Sequence, residues 1–223
     1  VTPTNGYHMG FTKPVRILGN TQPVNGYDGI EPRIKIRTAI SLNPFSEIDN
    51  ICIDLSGGSH PSISGLPGDG REFGIAILGD NTNVTNNVII GVGGASWWGA
   101  NNSHNVVGVG IRHRQGTNIV IQNNFIGTNR RLHSNLGCFL GGIELNVNSS
   151  ANNVISIWDN TIINNYPPLA FTNHPTQIVQ TNGGGGIFGA RLGTFIKRNI
   201  IHNNLTNTYS GSTTRVEWQT SYI

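Results

Sequence analysis

The sequence predicts an all-β solenoid, a single-stranded right-handed parallel β-helix formed by one domain of residues 1–223. Three observations carry that prediction. Glycine and asparagine each occur 30 times in 223 residues, while charged residues make up only 11%. That composition starves helices of the Ala, Leu, Glu, Lys and Arg they need. Short runs of alternating β-branched residues recur too regularly for a disordered chain. Finally, one frame repeats four times: a glycine, an apolar pair, a polar turn, then [Val/Ile]-x-x-Asn-x-Ile.

Taken along the chain, residues 1–13 carry Gly, Pro and Thr without alternation and read as an irregular entry segment. Three β-rich runs at 14–18, 33–40 and 51–55 read as early rungs. The repeats follow from Gly74, Gly110, Gly142 and Gly186, with Asn87, Asn124, Asn160 and Asn199 at the shared position. Antiparallel hairpins would explain one repeat, but not the same residue at the same place in all four. In a parallel β-helix like residues stack in register, so the four asparagines are expected to form one ladder. Each is expected at a bend in the left-handed conformation that Asn tolerates, its amide bonded to those above and below. Interruptions at 56–71, 94–105 and 166–183 read as loops leaving the rungs. Residues 205–223 leave the repeat as a terminal strand or cap in which Val216, Trp218 and Tyr222 alternate with polar residues. At about 20–30 residues per turn the chain makes roughly eight or nine rungs, a rod on the order of 40 Å long.

The family resemblance rests on specific segments. The stretch Pro14-Val-Arg-Ile-Leu-Gly-Asn-Thr-Gln-Pro23 is followed by Gly26-Tyr-Asp-Gly29 and Pro32-Arg-Ile-Lys-Ile36. Asn124-Phe-Ile-Gly-Thr128 and Asn135-Leu-Gly137 lie further on. Together they resemble segments of bacterial secreted parallel β-helix repeat proteins of the pectin-lyase-like superfamily, of the non-catalytic surface type. The resemblance covers about residues 14–204. It implies the right-handed fold and a secreted or cell-surface location, and it assigns no chemistry.

Function is bounded by what the residues supply. A formal charge of +3 with scattered basic residues lacks the stripe a nucleic-acid binder shows. No apolar run approaches the ~20 residues of a membrane span. Starting at Val1, the chain reads as a mature form or a fragment. No cofactor or metal is expected, since no His or Cys has a partner at ligand spacing. Eleven Asp and Glu in total include no paired cluster, whereas glycoside hydrolysis needs two carboxylates across one bond.

The nearest catalytic constellation is Arg112 and His113 on one repeat with Glu144 on the next. Arg112 and Glu144 hold the same offset from the repeat glycine, so a stacked surface ion pair is the plainer reading. Trp97 and Trp98 sit in a Gly/Ala/Asn loop, where aromatics stack on sugars or partners or fold back as a cap. Trp218 and Tyr222 are candidates for the same contacts. Cys52 and Cys138 read as unpaired core thiols about four rungs apart, beyond disulfide reach. Exposed end strands are a template for further pairing. The expected partner is therefore the chain itself, by head-to-tail or strand-exchange assembly into filaments, with polysaccharide as a second partner. The reading is an extracellular structural or adhesive β-helix. The alternatives are a carbohydrate-active lyase or hydrolase and a glycan-binding spike module.

Overall fold

The structure is a computed structural model that describes residues 8–21, 29–56, 73–97, 104–133, 137–139, 141–145, 154–165, 185–189 and 193–204. These form three six-stranded parallel sheets and one two-stranded hairpin. The first sheet comprises β1 (His8–Gly10), β4 (Ala39–Leu42), β7 (Phe73–Ile77), β12 (Val109–His113), β15 (Gly141–Leu145) and β18 (Gly185–Phe188). The second comprises β2 (Arg16–Leu18), β5 (Glu47–Asp49), β8 (Asn83–Thr85), β13 (Ile119–Gln122), β16 (Ile155–Trp158) and β19 (Thr194–Lys197). The third comprises β3 (Ile34–Ile36), β6 (Ile51–Asp54), β9 (Val88–Ile90), β14 (Phe125–Ile126), β17 (Thr161–Ile163) and β20 (Ile200–His202). Each rung contributes one strand to each sheet: the fold is a three-sided parallel β-helix.

The described residues form six rungs against the expected eight or nine, and these span about 24 Å at ~4.8 Å per rung. The early β-rich runs explain the difference. Strands β2 and β3 are two sides of one rung, and β6 closes the next. Loop insertions also lengthen the rungs, so His8 pairs with Ala39 and Gly141 with Gly185. Where a loop was expected after β9, the chain forms an antiparallel hairpin of β10 (Gly94–Trp97) and β11 (His104–Val107).

Alternation turns one face of every strand inward, and register stacks those residues into three aliphatic columns. Met9, Ile40, Ile75, Ile111, Ile143 and Ile187 line the first sheet. Ile17, Ile48, Val84, Ile121, Ile157 and Ile196 line the second. Ile36, Ile53, Ile89, Ile126, Ile162 and Ile201 line the third. Members on the four middle rungs are fully buried, whereas the end members Met9, Ile17, Ile36, Ile187, Ile196 and Ile201 are half-buried. β-Branched side chains suit this interior because their stiff rotamers pack well on a pleated surface.

The repeat glycines now have a cause. A Cβ on Gly142 would collide with the Ile162 side chain and approach the Gly186 carbonyl oxygen at 2.6 Å. On Gly110 it would collide with Ile126, and on Gly186 with Ile201. On these rungs the first strand crosses the third-sheet column too closely for any side chain. Both cysteines are unpaired and buried. They sit two to three rungs apart rather than four, because the rungs are longer than assumed. Cys138 belongs to the core, whereas Cys52 packs outside the third sheet with Val88, Ile90 and Phe125. Burial pushes the Cys138 thiol up to about 12 and the Cys52 thiol up to about 11.

Candidate functional site

The three residues nearest to a catalytic constellation are not brought together. Strand β12 turns Ile111 and His113 inward and Arg112 outward. Arg112 stacks in register on Glu144, and its Nε donates to Glu144 Oε2. His113 is fully buried on the opposite face, with Nε2 3.0 Å from the Gly116 carbonyl oxygen. The backbone of the strand separates the imidazole from the ion pair, so no proton passes between them. Arg112 and Glu144 are a cross-rung pair, and His113 is a core residue bonded to its own turn.

The four repeat asparagines lie at the corner between the second and third sheets as one buried stack. Asn87 Nδ2 donates to Asn124 Oδ1 at 3.0 Å, Asn124 Nδ2 to Asn160 Oδ1 at 3.0 Å, and Asn160 Nδ2 to Asn199 Oδ1 at 2.9 Å. Each acceptor oxygen also takes the backbone N–H of the preceding rung's asparagine. Each Nδ2 gives a second bond to a carbonyl on the preceding rung, such as Val84 O or Ile121 O. The left-handed residue at this corner is not the ladder asparagine, however, but the one before it. Positive φ falls on Asn50, Asn86, Asn123, Asp159 and Arg198. The bend residue projects outward, which frees the next one to point into the corner. A second, shorter ladder of Asn165 and Asn204 occupies the corner after the third sheet (Asn165 Nδ2 to Asn204 Oδ1, 2.8 Å), behind the left-handed Asn164 and Asn203. Asn-Asn doublets mark both corners in the sequence, at 86–87 and 123–124 for the first ladder and at 164–165 and 203–204 for the second.

Outside that corner the outward bend residues line an open groove of about 490 Å³. Sequence reasoning missed it, because its residues change type from rung to rung. Asp49 is nearly buried in it, its Oδ1 accepting from Thr85 Oγ1 and Asn86 Nδ2, both at 2.7 Å. Phe125 lines the groove and packs behind on the Cys52–Val88–Ile90 cluster. Arg130 comes from the segment after β14 and crosses back over two rungs. Its guanidinium donates to Ile30 O (2.9 Å), Asn50 Oδ1 (2.9 Å) and Asn86 O (2.6 Å). Asp159 also lines the groove and takes two bonds from Arg198, at 2.6 and 2.7 Å. The Arg198 guanidinium holds the Asp159 carboxyl below the usual carboxylate range.

The carboxylates of the groove are far apart. Asp49 pairs with Thr85, Thr85 with Gln122 and Gln122 with Trp158, the neighbour of Asp159. Three rungs therefore separate them, about 14 Å, against the ~5–9.5 Å that glycoside hydrolysis requires. The groove can hold a polar chain, but its two acids cannot act on one bond.

The other candidates are quickly placed. Trp97 ends β10, with its backbone paired to His104. Trp98, Trp218 and Tyr222 lie outside the described residues. Lys35 is bonded to Asp54 at 2.8 Å on the outside of the third sheet, and His202 is exposed on β20. Among the described residues no group of three His, Cys, Asp or Glu is placed to hold a metal ion, and no helix is long and apolar enough to cross a membrane. Comparison of the chain with protein-family models, with curated proteins and with solved structures finds no match in any of the three.

Proposed function

We propose that this chain is an extracellular structural and adhesive β-helix that holds a hydroxyl-rich polymer along the corner between its second and third sheets without transforming it. One observation carries the reading. The groove presents amides, an aromatic ring and an arginine along the rod axis, while its carboxylates stand three rungs apart. Alternating donors and acceptors beside an apolar ring are what a saccharide chain needs. The asparagine-rich, charge-poor composition and the resemblance to secreted β-helix repeat proteins support the exterior location. The test pairs affinity electrophoresis in gels containing polysaccharides with assays for reducing ends and unsaturated products. Retardation without product supports adhesion, and turnover abolished by Asp49→Asn would favour a carbohydrate-active enzyme instead.

Self-association belongs to the same reading. Met9, Ile17 and Ile36 at one end are the same three columns as Ile187, Ile196 and Ile201 at the other, and all six are half-buried. Phe195 and Ile200 on the last described rung are exposed as well. A second copy stacked head to tail continues all three columns, and such heterologous contacts grow into open filaments. Light scattering against concentration checks this, and a chain that stays monomeric at high concentration rules it out.

A further inference from the structure

Resting on the adhesive reading above, the groove's charges and free hydrogen-bonding groups narrow its ligand. Positive charge is scarce there. Arg130 is the guanidinium in its lining, and it donates to three neutral oxygens. Arg198 is committed to Asp159 through two bonds. Asp49 is the carboxylate left facing the ligand, because Asp159 also lines the groove but is paired with Arg198. A polymer bearing a carboxylate on every sugar would meet Asp49 with one guanidinium, Arg130, among the described lining residues to answer its repeated charge.

The groups left open suit hydroxyls instead. The exposed Asn123 lines the groove, and its side-chain amide bonds to no other described residue, so it offers a donor and an acceptor side by side. That arrangement matches two neighbouring hydroxyls on one ring. Asp49 commits Oδ1 to Thr85 and Asn86, leaving Oδ2 to accept from a further hydroxyl. Phe125 is half-buried, its back held by Val88 and Ile90, with its open side towards the groove. A ring fixed that way is a platform for the apolar face of a pyranose.

We infer that the groove takes an uncharged, hydroxyl-bearing saccharide chain lying along the rod axis. Phe125 stacks on one sugar, Asn123 and Asp49 read its hydroxyls, and the Asp49 carboxylate disfavours polyuronates. The experiment measures binding of the full chain to cello-, xylo-, manno- and laminari-hexaose and to oligogalacturonate and oligomannuronate by titration calorimetry. At least one neutral hexaose should bind at least tenfold more tightly than either uronate. Phe125→Ala should weaken that binding at least tenfold. Asn123→Gly keeps the left-handed turn at φ 55° while removing the exposed amide, and it should weaken binding several-fold with near-parental unfolding. Equal or tighter binding of a uronate overturns the inference and leaves the adhesive reading standing. Neutral binding untouched by both substitutions also overturns it, by placing the site elsewhere. Binding of none of the six overturns both readings.

Discussion

Truncating one middle member of the buried asparagine stack is the sharpest test of how this rod is held. In the native chain Asn124 Oδ1 accepts from Asn87 N and Asn87 Nδ2, both at 3.0 Å, while its Nδ2 donates to Val84 O at 2.8 Å and Asn160 Oδ1 at 3.0 Å. After Asn124→Ala, Asn87 Nδ2 keeps Ile48 O and Asn160 Oδ1 keeps the residue-124 N–H. The Asn87 N–H loses its side-chain acceptor in a corner where Asn87 and Asn124 are both 0% exposed. A buried donor left unsatisfied costs about 1–3 kcal/mol, and each further lost bond about 1 kcal/mol net. Three further bonds are lost, so the total is about 4–6 kcal/mol. Asn199→Ala removes a similar set of bonds on the last rung, where Asn199 is 5% exposed. Water can reach the groups freed there, so about 1–2 kcal/mol is expected. Urea unfolding followed by far-UV circular dichroism, compared at a common m value, measures both. A cost below about 1 kcal/mol for Asn124→Ala, or no larger than for Asn199→Ala, would refute the argument that the ladder's worth lies in dryness.

Three further outcomes follow from the same geometry. Gly142→Ala should lower stability by about 1–3 kcal/mol through overpacking, because its Cβ meets Ile162 and the Gly186 carbonyl; thermal unfolding unchanged from the parent would contradict the close approach. In native thiol labelling Cys52 should react before Cys138, and Arg130→Ala should speed Cys52 alone, since that cysteine lies outside the helix and Arg130 bridges the chain around it; equal rates in parent and variant would show that the arginine covers nothing. Asp54 is held below its ordinary range, burial working against this but the Lys35 ammonium and the Ser56 hydroxyl and N–H outweighing it. Lys35 is raised chiefly by its bond to Asp54. A depressed carboxyl stabilises the fold above its unfolded value and loses that contribution as pH falls through the folded one, whereas a raised amine loses its contribution as pH climbs past about 10. Lys35→Met should therefore flatten both limbs of the stability profile, which a pH series of melting temperatures checks.

How much of this was legible in the sequence depends on which way a side chain points. Inward positions obey one rule on every rung, so the isoleucines, the repeat glycines and the ladder asparagines repeat and could be found by periodicity. Rung number could not, because early strands such as β2 and β3 lack the glycine frame and read as separate rungs. The left-handed position was misplaced by one residue for a related reason. Both members of Asn-Asn fit a bend, and only the backbone shows that the first turns the chain while the second fills the corner. The Arg112–His113–Glu144 grouping failed because adjacent residues on a strand face opposite sides. The groove was invisible because Asp49, Phe125 and Arg130 belong to three different columns and meet only when the rungs stack.

The corner itself shows how a folding requirement lays down a recognition surface. Each rung must turn sharply between the second and third sheets, and a left-handed residue makes that turn. Asparagine meets this need most cheaply among residues with a side chain, so Asn50, Asn86 and Asn123 recur there. The same turn points each amide outward at the rung spacing, so a row of donors and acceptors appears at no added conformational cost. Later rungs depart from asparagine: Asp159 and Arg198 take the same backbone at φ 55° and 53°. An arginine in that region is strained by roughly 1 kcal/mol or more. Its two bonds to Asp159 offset the strain, and they close the row by removing both charges from the ligand's reach. The ladder inside and the amide row outside are therefore two consequences of one turn. A substitution that relaxes the turn, such as Asn123→Gly, should keep the ladder and the fold while removing one rung of the binding surface. Near-parental unfolding with weakened saccharide binding is the expected result, and loss of the fold together with binding would show that the two cannot be separated.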